Sequence, residues 1–306
     1  MSGELSSEDQ LRLNVLLTQD IRAIRLEESR MELLALTDKG EASMPLHPTC
    51  RSDRYLRLVR EALSGHALGS PGGYPVYLTR WTRHGQMESA SLGKLLLTGE
   101  PEAVVAVVHS PALTDEIAAW AWWAMPSIEN ARLMLARPTV AQGKMGSVLA
   151  DFLAEHLPFL QDDHLAIMDT IAVLIHSGCV SDETLAGIWK RGKRTNTYYV
   201  PFLEANWPGL GTMRPARGDA THLATVIPAL QGPDRALALR LEQTLSGAGQ
   251  AWIEALQEIL ARPETQEVVS RTLNAIGGFF SPDGGGCPSP VSCQACCSPG
   301  PVIWKR

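Results

Sequence analysis

A mainly α chain, a HEAT-like or irregular helical array behind a small N-terminal antiparallel β element, is the architecture that three features of this sequence predict. Apolar and polar residues alternate between Ile24 and Leu46, which is the period of half-buried strands. From Ser52 onward the period becomes that of a helix, with Tyr55, Leu56, Val59 and Leu63 on one stripe. Beyond that point prolines, glycines and polar capping residues cut the chain into short helical pieces at close intervals.

Ser7-Glu8-Asp9-Gln10 has capping-box spacing, and Leu13, Leu16 and Leu17 follow as the apolar face of a short first helix. Three small antiparallel strands come next. Ile24 and Leu26 alternate with Arg25 and Glu27, Met31, Leu33 and Ala35 form the second run, and Ala42, Met44 and Leu46 the third. Gly40, after Asp38-Lys39, supplies the positive φ of a hairpin turn, and Pro45 marks the third strand as an edge. The helix from Ser52 has Gly65 as its stop signal. Pro101 opens a helix at its first position, Thr114 caps "DEIAAWAWWAM", and Ser127 caps "IENARLMLAR", which runs up to Pro138. Further starts fall near residues 144, 163, 181 and 196. Two such intervals together approach the roughly 40 residues of a HEAT-like unit.

"WPGLGTMRPARGDA" has no apolar period and reads as a linker. Helical runs resume over 223–230, 236–245, 251–260 and 268–276, and Gly277-Gly278 reads as their end. From Ser281 to Pro301, 17 of 21 residues are Pro, Gly, Ser or Cys, a composition with little to bury against the entropy of ordering. The domain organisation is therefore a helix and β cap over residues 1–50, a helical array over 51–207, a linker over 208–220, a helical block over 221–280 and a flexible tail over 281–306.

The totals narrow the class. A chain of 306 residues with 45% apolar and 20% charged residues is an ordinary globular one that can bury a sizeable core. Its net charge of -6 argues against a nonspecific nucleic-acid binder, which needs a basic surface to displace counterions, although a local basic patch remains compatible. The longest apolar run, "AAWAWWAM", is far short of the roughly 20 residues that cross a bilayer, so no membrane partner is expected. The polar start at Met1-Ser2-Gly3-Glu4 and the crowding of four of the six cysteines into the last twenty residues favour a cytoplasmic location over a secreted disulfide scaffold.

Several groups are candidates for chemistry, each with a plainer alternative. In "GSPGGYPVYLTRWTRHGQ", backbone amides at Gly72-Gly73 with Arg80 and Arg83 could cradle an anionic partner; the plainer and preferred reading is a bend that anchors the next helix. His47 and Cys50, and His176 and Cys179, are two His-x-x-Cys pairs with zinc-compatible ligands, but each supplies only two, and satisfied or buried side chains are preferred. Cys287, Cys293, Cys296 and Cys297 include one CxxC knuckle and are the metal candidates, against thiols without a role. Lys190, Arg191, Lys193 and Arg194 surround a helix end, where cations complement the carbonyl dipole; an acidic partner or RNA is the functional alternative. Tyr198, Tyr199 and Trp207 near them suit either base stacking or a core face, and Trp120, Trp122 and Trp123 read as core filler. No GxSxG elbow, HExxH or GKS/GKT phosphate loop is present.

The strings "HALGSPGGYPVYLTRWTRHGQ", "LLLTGEPEAVVAVVHSPALTDE", "AWWAM" and "NARLMLARP" carry a resemblance. In them the chain resembles the DsrS family, soluble proteins encoded with the genes for reverse-acting dissimilatory sulfite reductase in bacteria that oxidise stored sulfur. The likeness covers about residues 8 to 207 and does not extend to the tail. It implies an accessory or regulatory role in cytoplasmic sulfur oxidation and brings no catalytic residue or cofactor with it. The expected function is thus that of a nonenzymatic accessory protein, without a cofactor, that binds proteins of the sulfur-oxidation system. The alternatives are a thiol-based sulfur carrier or metal-binding protein that uses the tail cysteines, and an RNA-binding post-transcriptional regulator.

Overall fold

A computed structural model describes residues 5–69, 89–212, 214–229 and 232–280. Arg80 and Arg83, and the tail cysteines Cys287, Cys293, Cys296 and Cys297, lie outside the described residues. The chain divides into two compact units, Met1–Phe152 and Leu153–Arg306. Fifteen α-helices among the described residues and one small sheet make it mainly α with a small N-terminal β element.

The first unit opens with α1 (Ser7–Leu17), β1 (Ile21–Glu27), β2 (Glu32–Thr37), β3 (Gly40–Pro45) and α2 (Ser52–Leu68). The sheet order is β1-β2-β3, antiparallel throughout. Strand alternation sorts the side chains as the sequence implies. Leu26, Leu33 and Met44 lie in register on one face, with Ile24 and Ala35 beside them. Leu13 and Leu16 of α1, and Tyr55, Leu56, Val59 and Leu63 of α2, close over that face as a continuous buried cluster. Gly40 holds φ at +119° where β2 turns into β3, and Asp38-Lys39 form the two-residue tip. On the outer edge of β1 the Ile24 N–H donates to the Leu96 carbonyl at 2.8 Å, and Pro45 ends the opposite edge strand.

The helices that complete this unit are α3 (Ser89–Leu95), α4 (Pro101–His109), α5 (Asp115–Ala124), α6 (Ile128–Leu135), α7 (Pro138–Ala141) and α8 (Met145–His156), the last of which contains the division point. Thr114 and Ser127 cap α5 and α6, accepting from the Ile117 and Asn130 amides, as their positions predict. The start of α8 is held by a distant group: the Asp115 carboxylate accepts from the Lys144 and Met145 amides at 2.9 and 3.0 Å.

The second unit continues with a 3-10 turn (Leu157–Leu160), α9 (His164–Ser177), α10 (Asp182–Arg191), a 3-10 turn (Asn196–Tyr199) and α11 (Val200–Ala205). It goes on through a 3-10 turn (Pro208–Thr212), α12 (Ala220–Val226), α13 (Gly232–Leu245), α14 (Gly247–Ala261) and α15 (Gln266–Phe280). Within the stretch expected as a linker, Leu210 is buried. Arg271 of α15 ties three helices together. Its Nε and Nη2 donate to the two carboxylate oxygens of Glu204 at 2.8 and 2.6 Å, and Nη1 donates to Asp169 at 2.8 Å.

Four local expectations are corrected. Ser6 rather than Ser7 is the cap of α1, accepting from the Asp9 amide at 3.1 Å, which frees the Asp9 side chain to turn inward. The helix α2 passes through Gly65 and stops at Gly69, which takes φ +59° and donates to the Gly65 carbonyl. An interior glycine weakens a helix by only about 1 kcal/mol, too little to end one that has a buried face. The helix α15 likewise runs through Gly277-Gly278, drawn on by Phe279, whose ring stacks on Trp252 at 4.4 Å. Trp120, Trp122 and Trp123 are not core filler: all three are half-buried, and the buried face of α5 is Ile117, Ala118, Ala121 and Ala124. Two of the rings instead carry arginines of β1, Arg22 over Trp120 at 5.5 Å and Arg25 over Trp123 at 5.1 Å.

Candidate functional site

The helix α10 is polarised by its own sequence. Ser181 caps it by accepting from the Thr184 amide, Asp182 and Glu183 occupy the first turn, and Lys190 and Arg191 the last, so both ends complement the helix dipole. Gly192 then turns the chain, its N–H donating to the Trp189 carbonyl at 2.9 Å, and Lys193 and Arg194 follow. All four cations are exposed, and among the described residues none is paired with a carboxylate. Four positive charges within five residues stand out on a chain whose net charge is -6.

What lies under this ridge is a cluster of packed aromatic rings. Trp189 packs against Tyr199 at 4.4 Å and edge-on against Phe202 at 5.4 Å, and Phe202 against Trp207 at 5.1 Å. The Tyr199 phenol is pushed up to about 12 by burial and by the Glu258 carboxylate, so it stays neutral. The far end of the ridge is pinned by side chains. Asn196 donates its amide N–H to Glu264 at 3.0 Å and its side-chain Nδ2 to the Arg262 carbonyl at 2.7 Å. The buried Thr197 hydroxyl donates to Glu264 at 2.9 Å and lies 2.8 Å from His164 Nδ1.

Gly192 is required by this packing. A Cβ there would sit 2.3 Å from a ring carbon of Tyr199. Gly192→Ala is therefore expected to destabilise the protein by about 2 kcal/mol through overpacking. Urea unfolding read by tryptophan fluorescence tests this, and an unchanged midpoint would mean that Tyr199 yields freely.

Tyr198, Tyr199 and Trp207 are buried, at 7%, 3% and 4% exposure, so they are core residues and are closed to base stacking. The two His-x-x-Cys pairs resolve as satisfied histidines. His47 Nδ1 lies 2.9 Å from the Asp9 carboxylate, and His176 Nδ1 lies 2.6 Å from the Ala172 carbonyl one turn back. Cys50 and Cys179 are half-buried. Among the described residues no group of three His, Cys, Asp or Glu side chains is placed to hold a metal ion.

Asp9 is the buried charged residue that the sequence reading missed. Its carboxylate accepts from the Tyr55 hydroxyl at 2.5 Å and from the His47 amide and ring, joining α1, α2 and the segment after β3. The signal was present: Asp9 stands four and seven residues before Leu13 and Leu16, on the apolar face of α1. A concavity of about 410 Å³ in the first unit is bordered by Arg22, Lys94, Thr114, Glu116 and Trp120. Arg22 is engaged there, donating to both Asp38 oxygens at 2.9 Å while lying over Trp120.

The exposed cation ridge at the end of α10, above a cluster of tilted and edge-on aromatic rings, is thus an arrangement suited to docking an acidic surface. No protein-family model, curated protein or solved structure matches this chain.

Proposed function

We propose that the chain is a nonenzymatic accessory protein that binds an acidic protein partner through Lys190, Arg191, Lys193 and Arg194. The observation that carries this function is the set of four exposed cations, without carboxylate partners among the described residues, on a backbone fixed by Trp189, Tyr199 and the Asn196–Glu264 bonds. A fixed charged surface loses little entropy when a complementary one docks, and the attraction also speeds encounter. The resemblance to the DsrS family supports a cytoplasmic partner within the sulfur-oxidation system. RNA has less support as the partner, because the neighbouring rings that would stack on bases are buried.

Affinity capture from sulfur-oxidising cells compares the wild-type chain with a variant carrying Lys190→Gln, Arg191→Gln, Lys193→Gln and Arg194→Gln. Capture of the partner is expected to fall at least about tenfold in the variant, and to weaken in the wild type as salt rises from about 0.05 to 0.3 M. Equal capture by both chains overturns the proposal. Loss of the captured material on ribonuclease treatment would transfer the ridge to the RNA-regulator alternative.

A further inference from the structure

The concavity of about 410 Å³ in the first unit lies where β1, α3 and α5 meet, and its size is within the range of small-molecule sites. Its lining is of two kinds. Leu97, Ile117 and the half-buried Trp120 ring form an apolar side, while Arg22, Lys94 and Glu116 border it with charge. Lys94 and Glu116 are exposed, and neither stands in an ion pair among the described residues. Arg22 is different. Asp38 takes its Nε and Nη2 groups at 2.9 Å, and Glu116 adds the weakest of the attractions that act on it.

Gly93 keeps the apolar side open. A Cβ at this position would lie 3.4 Å from Cζ3 of Trp120, an ordinary contact, so alanine would fit and would favour the helix α3 over glycine. The chain thus carries a poor helix former where α3 faces the indole, and the result is a ring edge left bare toward the concavity. A local rule broken beside a concavity is a mark of a binding site.

We propose that this concavity binds a small zwitterion with an aromatic body, the chemistry of a free aromatic amino acid. A cation and an anion on one rim match the carboxylate and the ammonium of such a ligand, and the indole edge with Leu97 and Ile117 matches its ring. Lys94 takes the carboxylate, with the Nη1 group of Arg22, which Asp38 leaves over, as a second donor. Glu116 takes the ammonium. A simple anion fits less well, because Glu116 would repel it and Asp38 already neutralises Arg22. The site lies in the first unit and is independent of the acidic partner proposed for the end of α10.

The probe is L-phenylalanine, titrated into the full chain while NMR follows the indole N–H signal of Trp120, assigned by its loss in Trp120→Phe. A saturable shift is expected, with half-saturation at about 2 mM or below, the range for a ligand of about twelve non-hydrogen atoms. Lys94→Gln and Glu116→Gln, both exposed and outside the core, are each expected to weaken binding about tenfold. Gly93→Leu fills the space beside the ring and is expected to remove the shift, and the two rim variants keep the test independent of any change in fold. Phenethylamine and 3-phenylpropionate, which lack the carboxylate and the ammonium, should bind about tenfold more weakly than L-phenylalanine. Absence of a Trp120 shift up to about 20 mM, or equal affinity in wild type and both rim variants, overturns the site. Binding of 3-phenylpropionate as tight as that of L-phenylalanine overturns the zwitterion in favour of a simple anion.

Discussion

Trp252→Ala is expected to lower stability by about 4 kcal/mol, the range for emptying a fully buried aromatic site. Trp252 is 1% exposed, its ring stacks on Phe279 at 4.4 Å with an interplanar angle of 20°, and Phe280 meets it edge-on. Its Nε1 donates to the Leu203 carbonyl at 3.1 Å, so truncation leaves both a cavity and an unpaired acceptor. The melting temperature should fall by about 10 °C. Trp252→Phe separates the two contributions, because it keeps a ring against Phe279 and loses only the N–H and some volume. Its expected loss is about 1 to 2 kcal/mol, measured by urea unfolding of both variants side by side. Equal losses would place the stabilisation in the hydrogen bond rather than in the stack.

Trp252 also shows which parts of this fold could be read from the sequence. Helix starts were legible because capping is local: Thr114, Ser127 and Ser181 each accept from an amide three residues on. The three strands were legible because period-2 alternation and Gly40 are equally local. Helix ends were less so. Gly277-Gly278 is a stop signal by propensity, yet the stacking of Phe279 on a residue 27 positions away in sequence keeps α15 going. The tryptophans of α5 failed for the same reason, since the arginines that cover Trp120 and Trp123 come from β1 and the helix buries alanines instead.

The candidate site divides along the same line. That Lys190, Arg191, Lys193 and Arg194 form a charged helix end follows from their order in the chain. That Tyr198, Tyr199 and Trp207 turn away from them into the core does not, because aromatic residues at this spacing suit either an interior or a stacking platform. The choice is made by Gly192, whose missing Cβ lets Tyr199 approach, and by Glu264, which reaches Asn196 and Thr197 from 67 or more residues away.

Asp9→Ala is expected to cost about 3 kcal/mol at neutral pH, with a pH dependence that identifies the group. Burial alone would raise the Asp9 carboxyl, but the Tyr55 hydroxyl and the His47 ring and amide outweigh it and hold the carboxyl below its ordinary value of 3.8. Truncation leaves the Tyr55 hydroxyl, itself pushed up by burial and by Asp9, without its acceptor inside the cluster that joins α1, α2 and the sheet. A group whose folded value is depressed contributes its full stabilisation above the unfolded value and loses it as pH falls through the folded one. The stability gap between wild type and Asp9→Asn should therefore be widest above about pH 5 and should narrow steadily below about pH 4. His47→Ala should cost less, because the His47 side chain is 52% exposed and its backbone amide still donates to Asp9. Urea unfolding of the four chains from about pH 7 down to pH 3 measures these differences. Parallel wild-type and Asp9→Asn curves would assign the acid sensitivity of the fold to another carboxylate and leave Asp9 as a neutral packing residue.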